Sequence, residues 1–537
     1  MEKKTPLKIE EAAPILNGDV SAAKLKVISS QNSINRNGIV STEDLQQHTK
    51  KLRGIIPQML VSGAAFLLAA GAGMPIGFSA VLLPQLQSNS SSIPTDDDLG
   101  SWIASVHSAA TPVGSFVSGL MMDKWGRRRV LQLCVLPLTL GWVLMAVAQS
   151  HLLILAGRIL AGIAVGLSAA PGQVFLGEVA EPRMRGLLSS IPYVSYSMGI
   201  LVVYAMGATM HWQTVAWLAT ILPLLSLLAF TLLPESPVWL VRNNREEEAK
   251  KALTWLRGAD NGGKVAKQEL QQLVGRVHNE EEARIRQALS GNTSSWKMFF
   301  KPEVLKPITI VNVFNLVQIV SGTYLVIFYA VNLISETDDE AGGIDKFLAA
   351  VLTAVVRLIF ITLACFLLIW VGRRPLAIFS GLSSSAAAIA VGSFLYYRVS
   401  SSEPSPSPAL DTWIVTGGIL LYVATNTVGF FVLPGIAIGE LLPVKIRGPF
   451  GGYIFAIFNL ALFFIAKVFP AMLNAMGSHG MFWMFGLSSL FGTIFVYLFF
   501  PETKGKSLEE IEDYFAEKNV LWITRKKSQD VDGPTKA

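Results

Sequence analysis

Apolar runs of about twenty residues, broken by short polar turns, recur along most of the chain. Twelve such runs lie near 57–83, 102–122, 129–148, 152–175, 187–206, 214–233, 307–331, 347–371, 376–397, 412–436, 451–473 and 481–500. A helix needs about 20 apolar residues to cross the hydrocarbon of a bilayer. Only helices and closed barrels satisfy every backbone group there. The pattern therefore predicts an all-α membrane protein with twelve spanning helices. Gly71, Gly73, Pro75 and Gly77 in the first run suit close packing or local kinks. One longer stretch, 241–306, separates six runs from six. Its Glu246-Glu247-Glu248 start and following charged-apolar periodicity read as amphipathic surface helices. The expected layout is a tail over 1–54, a six-helix half over 55–240, the linker over 241–306, a second half over 307–503 and a tail over 504–537.

The distribution of charge orients this layout. Lys124, Arg127, Arg128 and Arg129 follow the second run, Arg183 and Arg185 the fourth, Arg373 and Arg374 the eighth, and Lys445 and Arg447 the tenth. The alternate connections are acidic or poorly basic, with Asp96, Asp97 and Asp98 after the first run. Glu336, Asp338, Asp339 and Glu340 follow the seventh. Basic turns stay in the cytoplasm, so both termini and the linker are expected there. Asn89, in Asn89-Ser90-Ser91, falls outside as a glycosylation candidate, and Asn292 falls inside.

Composition narrows the class. Of 537 residues 51% are hydrophobic and only 15% charged, and the mean hydropathy is +0.47. Soluble domains carry about 25% charged residues. The net charge of +6 sits between the apolar runs, which argues for membrane topology and against nucleic acid. Cys134 and Cys365 both lie inside apolar runs and form neither a disulfide framework nor a metal site. The first 50 residues lack the apolar core of a cleavable signal peptide. His107, His211 and His479 converge with no Cys or carboxylate set, so no enzyme chemistry, metal or cofactor is expected.

The turns repeat. Gly119-Leu-Met-Met-Asp123-Lys124-Trp-Gly126-Arg127-Arg128 follows the second run and Gly372-Arg373-Arg374-Pro375-Leu376 the eighth. Glu178 through Arg185-Gly186 closes the fourth run, and Glu440 through Arg447-Gly448 closes the tenth. Pro234-Glu235-Ser236-Pro237 and Pro501-Glu502-Thr503-Lys504 close the two halves. Three pairs in one order indicate internal duplication, a recurrent plan of membrane carriers.

These strings, with Ala156-Gly-Arg158, Val238-Trp239-Leu240 and Gly505-Lys-Ser-Leu-Glu-Glu-Ile511-Glu512, resemble the sugar porter family of the major facilitator superfamily over about 55–515. Gly77-Phe-Ser-Ala-Val-Leu-Leu-Pro-Gln-Leu86 is most similar to insect facilitated trehalose transporters and their hexose-carrying relatives. The resemblance implies two pseudo-symmetric halves rocking about a central cavity. It also implies a cytoplasmic latch of Asp123, Arg127, Arg158, Glu178, Arg185 and Glu235 in the first half. Arg373, Arg374, Glu440, Arg447 and Glu502 take that role in the second. Bidentate carboxylate–guanidinium pairs are directional enough for such a latch. Static snorkelling charges that only set topology are the plainer alternative. Ile369 stands where the family carries an acidic residue, which predicts a weakened outward-facing state, because removing one partner of a buried pair costs more than removing one of a surface pair.

Sugar recognition needs convergent amides, hydroxyls and aromatic faces. Gln318 and Asn459 match polar positions of the family. Tyr193 and Ile319 stand at glutamine positions, Tyr324 at an asparagine, and Gly435 and Leu460 at tryptophans. Thr427 and Phe463 also replace polar positions. Arg357 lies mid-helix where the family places an asparagine, with no acidic residue inside any run to neutralise it. A central arginine costs at least ~2.5–3.5 kcal/mol on insertion scales. It either binds a carboxylate-bearing solute or is held by backbone carbonyls and cavity water. The candidate solute contacts are Gln318, Tyr324, Arg357, Asn459, Tyr193 and Thr427. Proton-coupled members carry an aspartate in the first helix where Pro75 stands, and that run has no ionisable residue. The expected function is facilitated diffusion of a sugar, trehalose or a hexose, by alternating access. The partners are a small-molecule solute and the lipid bilayer, with the plasma membrane as the expected location. A carrier of an anionic solute read by Arg357 and a non-transporting sensor of the same fold are the alternatives.

Overall fold

The computed structural model describes residues 42–88, 92–181, 185–258, 264–289, 302–329, 346–401, 408–442, 447–506, 508–516 and 521. The first half contains α1 (Thr42–Leu86), α2 (Asp97–Trp125), α3 (Arg127–Ala146), α4 (His151–Val179), α5 (Arg185–Gly207) and α6 (Trp212–Thr231). Among the described residues three linker helices follow, α7 (Pro237–Arg242), α8 (Glu246–Leu256) and α9 (Lys264–Leu289). The second half contains α10 (Pro302–Val320), α11 (Leu325–Phe328), α12 (Lys346–Trp370), α13 (Arg373–Ser400), α14 (Pro408–Asn426), α15 (Leu433–Leu441) and α16 (Arg447–Phe499). A final helix, α17 (Leu508–Ala516), packs beneath α10 and α15.

Among the described residues ten helical stretches are long and apolar enough to cross a membrane. One of these, α16, carries the eleventh and twelfth predicted spans on either side of a bend at Gly477. The more polar α2, 29 residues long, completes the twelve. Two predicted runs are not continuous helices. The run over 307–331 breaks after Val320 into a turn over 321–324 before α11. Gly322 makes that break with φ +86, and a side chain there would strike the Phe485 ring. The run over 412–436 is interrupted by a π-helical segment, Thr427–Phe431. Interrupted helices in a bilayer leave backbone groups unpaired, which confines them to the protein interior.

Local chemistry sets the helix ends. Asp96 caps α2 by accepting from the Leu99 N–H at 2.9 Å, and Asp97 and Asp98 follow in its first turn, where the helix dipole favours negative charge. Ser236 caps α7, with Pro237 at the first helical position, where no N–H is needed. Leu120, Leu152, Leu232, Trp370 and Val399 are all more than 70% exposed. So much apolar surface is tolerable only against lipid. The linker docks on the first half: Arg257 donates to the Val179 carbonyl at 3.2 Å and pairs with Glu269 at 2.6 Å. The halves meet where α2 packs on α16, α5 on α12 and α11 on α1.

Candidate transport site

The basic turns form two networks related residue by residue. In the first half Arg127, its side chain 4% exposed, places Nε 3.1 Å from Glu178 Oε2 and donates from Nη2 to Oε1 at 3.1 Å. Its Nη1 reaches the Met122 carbonyl at 3.0 Å and Asp123 at 3.5 Å. Ser236 donates to Glu178, and Glu235 accepts from the backbone N–H groups of Arg128 and Ser236, both at 2.9 Å. In the second half Arg373 donates to Glu440 at 2.9 and 3.2 Å and to the Leu368 carbonyl at 3.2 Å. Thr503 donates to Glu440 at 2.5 Å, and Glu502 accepts from the N–H groups of Arg373 and Arg374 at 3.0 and 3.1 Å. Arg128 and Arg374 then cap the Leu233 and Tyr497 carbonyls at 2.5 and 2.6 Å. A shared geometry of this detail is the structural trace of the duplication.

The networks bear on the sequence expectation in three places. First, the side-chain ion pairs of these turns close within one half among the described residues, Arg127 with Glu178 and Arg373 with Glu440, so each set braces its own half. The side chains of Arg185 and Arg447 lie outside the described residues, as does Asn89. Second, Arg158 does not belong to the networks. It lies twenty positions before Glu178 in α4, so a rise of ~1.5 Å per residue sets the two about 30 Å apart. Fully buried, it donates to the Pro75, Ile103 and Ala104 carbonyls and to Ser79 Oγ, tying α4 to α1 and α2 at the end opposite the basic turns. Third, Ile369 is 61% exposed, so the carboxylate missing there is not a buried partner. Ile369→Asp is expected to change stability by less than about 1 kcal/mol, the range of an exposed pair. Thermal unfolding of purified protein in detergent checks this.

Toward mid-membrane the interrupted helices gather polar groups. Thr323 Oγ1 donates to Asn426 Oδ1 at 2.6 Å and contacts Ser321 Oγ at 3.2 Å. Gln318 donates to the Phe431 carbonyl at 3.0 Å, and the Tyr422 hydroxyl caps the Ser321 carbonyl. Tyr204 of α5 donates across the halves to the Ile327 carbonyl at 2.5 Å. Arg357 is 3% exposed, reaches the Thr323 carbonyl at 3.5 Å and lies over the Phe431 ring at 5.3 Å. Tyr204, Tyr324 and Tyr422 stand within its electrostatic reach, and no carboxylate among the described residues pairs with it. The Tyr324 ring contacts Phe431 and Phe458 at centroid distances of 5.6 and 5.4 Å.

Two proposed solute contacts are engaged elsewhere. Thr427 is fully buried and donates to the Val423 carbonyl at 2.6 Å, so it serves the helix interruption. Asn459 donates to its own helix at Phe455, 2.8 Å away. Tyr193 and Gly435 face each other across the two halves: a Cβ on Gly435 would lie 2.6 Å from the Tyr193 hydroxyl. The ring on α5 fills the space left by the small residue on α15. Gly435→Trp alone is therefore expected to abolish uptake and lower the unfolding temperature, and Tyr193→Gln in the same chain to restore both in part. A double-mutant cycle reads the coupling.

Asn426, Thr323, Tyr204 and Tyr422 were not singled out from sequence, although a polar residue inside an apolar run is itself a signal. Lys467 gave the same signal inside the eleventh run. It lies at the end of the bundle opposite the basic turns, 2.5 Å from Asp98 of the other half.

Two related six-span halves meeting around interrupted, polar-lined helices define an integral membrane carrier. A profile of the family described as Sugar (and other) transporter matches residues 67–515, and the chain belongs to that family. The facilitated trehalose transporter Tret1 of Aedes aegypti is 32% identical over 456 residues, covering 84% of this chain and 54% of that protein. The Tret1-2 homolog of Drosophila sechellia is 32% identical over 442 residues, covering 81% and 87%. The chain thus spans about half the length of the first relative and most of the second. Among solved structures, the major facilitator proton:xylose symporter XylE bound to 6-bromo-6-deoxy-D-glucose superposes with a TM-score of 0.67 at 21% identity, covering 85% of this chain and 99% of that one. The inward open conformation of XylE from E. coli matches equally, at 22% identity. The fold is the twelve-helix major facilitator fold.

Proposed function

We propose that the chain carries a sugar, trehalose or a hexose, by facilitated diffusion through alternating access. The supporting observation is the pair of matched charged networks that hold each half rigid around a polar, interrupted-helix centre. Rigid halves and a central site are what rocking transport requires. The names of the similar insect proteins support trehalose as cargo. Facilitated diffusion is supported by the first span, where Arg158 binds the Pro75 carbonyl rather than a titratable carboxylate. Gln318, Tyr324, Asn459 and Tyr193 remain the proposed solute contacts. Arg357 braces the unwound turn through Thr323 and Phe431, in place of reading an anionic solute. The basic character of the turns supports putting them and both termini on the cytoplasmic side, with the plasma membrane as the proposed location.

Uptake by purified protein in vesicles tests this, comparing trehalose, glucose and a small carboxylate. Counterflow of trehalose or glucose without a pH gradient is the expected result. Uptake of only the carboxylate, or uptake that needs a proton gradient, overturns the reading.

A further inference from the structure

We propose that Lys467 and Asp98 form a clasp that holds the two halves together at the end opposite the basic turns and must open in each transport cycle. The clasp rests on the alternating-access reading above, but on no assumption about the cargo. Lys467 lies on α16 in the second half and Asp98 in the first turn of α2 in the first half. The ammonium lies 2.5 Å from Asp98 Oδ1, 3.2 Å from the Asp98 carbonyl and 2.7 Å from Ser101 Oγ. Its three N–H donors therefore have three acceptors, all on the other half. It also stands 4.8 Å from the centre of the Trp102 ring, which in turn meets Phe463, one helical turn before Lys467, at 5.9 Å.

The placement explains why a lysine is tolerated within an apolar run. With the halves together its charge is matched from across the interface. With the halves apart it faces the opening mouth and is hydrated. Asp98 stands in the acidic first turn of α2, beside Asp96 and Asp97 at the helix end, so the pair breaks at the membrane surface rather than within the hydrocarbon. Ser101 also lines a cavity of about 360 Å³ at this end, walled by Gln87 and Asp97 from one half and Tyr329, Phe469 and Asn474 from the other. Opening the clasp joins that cavity to the interface below it. At the basic-turn end the described ion pairs of the turns stay within one half. Among the described residues, then, the side-chain ion pair that joins the halves lies at the Lys467 end, where it favours the closed state.

A thiol reporter tests the clasp without any solute. The full chain carries Phe463→Cys, with Cys134 and Cys365 replaced by alanine, in vesicles. A membrane-impermeant maleimide is applied from the side opposite the basic turns. Lys467→Gln and Asp98→Asn are each expected to raise the labelling rate about three- to fivefold, the scale of an exposed ion pair. Lys467→Arg is expected to stay within about twofold, because it keeps the charge and donors. The exchange K467D/D98K is expected to bring the rate back toward the parent value. Unchanged labelling in Lys467→Gln and Asp98→Asn, or an exchange variant as fast as the single variants, overturns the clasp. Labelling that follows the expected pattern in protein that moves no sugar leaves the clasp standing and removes the proposed cargo instead.

Discussion

Replacing Glu178 by alanine is expected to cost about 3–5 kcal/mol of stability and to abolish uptake, because it strands a buried guanidinium. The Arg127 side chain is 4% exposed; Glu178 accepts from its Nη2, and the second carboxylate oxygen lies 3.1 Å from Nε in the ion pair. Ser236, at the start of the linker, loses its acceptor in the same change. The related pair in the second half is less enclosed, with Arg373 and Glu440 at 23% and 26% exposure. Glu440→Ala is therefore expected to fall nearer about 1–3 kcal/mol, the usual cost of a group left unpaired. Asp123, at 74% exposure, contributes least to the Arg127 cluster. The order Glu178, Glu440, Asp123 in unfolding temperature, measured in one detergent, tests the networks. Equal losses for all three contradict the burial argument.

Gly162→Val is expected to prevent assembly of the first half. A Cβ at Gly162 would lie 2.2 Å from the His107 carbonyl oxygen and 3.0 Å from Ala110 Cβ, so α2 and α4 cannot keep their present approach. Helices in a bilayer gain no hydrophobic drive from each other and rely on such close packing. Gly177, in the same helix, has nothing within 4 Å of its position, and Gly177→Ala is expected to be neutral. Size-exclusion profiles of the two variants separate a packing effect from a loss of helix-breaking glycine. A monodisperse Gly162→Val protein with normal uptake refutes the close approach.

Legibility in the sequence differed by type of feature. Spans were visible because lipid exposure demands an apolar run of fixed length whatever the neighbours do. The charged networks were visible because their residues sit in short turns repeated in order, and the paired strings around Arg127 and Arg373 carry the symmetry. Arg158 was misplaced for the same reason: adjacency to a motif string hid that it stands twenty positions from Glu178 along α4. The breaks at Ser321–Tyr324 and Thr427–Phe431 lay inside runs that remain apolar on both sides, so hydropathy passed over them. Tyr193 and Gly435 were each legible as departures, but their complementarity was not, since they lie on different halves.

What the chain's order of residues determined alone was its medium, its twelve spans, its duplication and its family, all properties set by local composition and by repeats along the chain. The tertiary structure decided which charges pair. It closed the Arg127 and Arg373 networks inside separate halves, turned Arg158 onto backbone carbonyls and brought Lys467 to Asp98 across 369 positions. Those choices depend on distance in space, and an ion pair or a filled void has no local signature until the helices that carry it are packed.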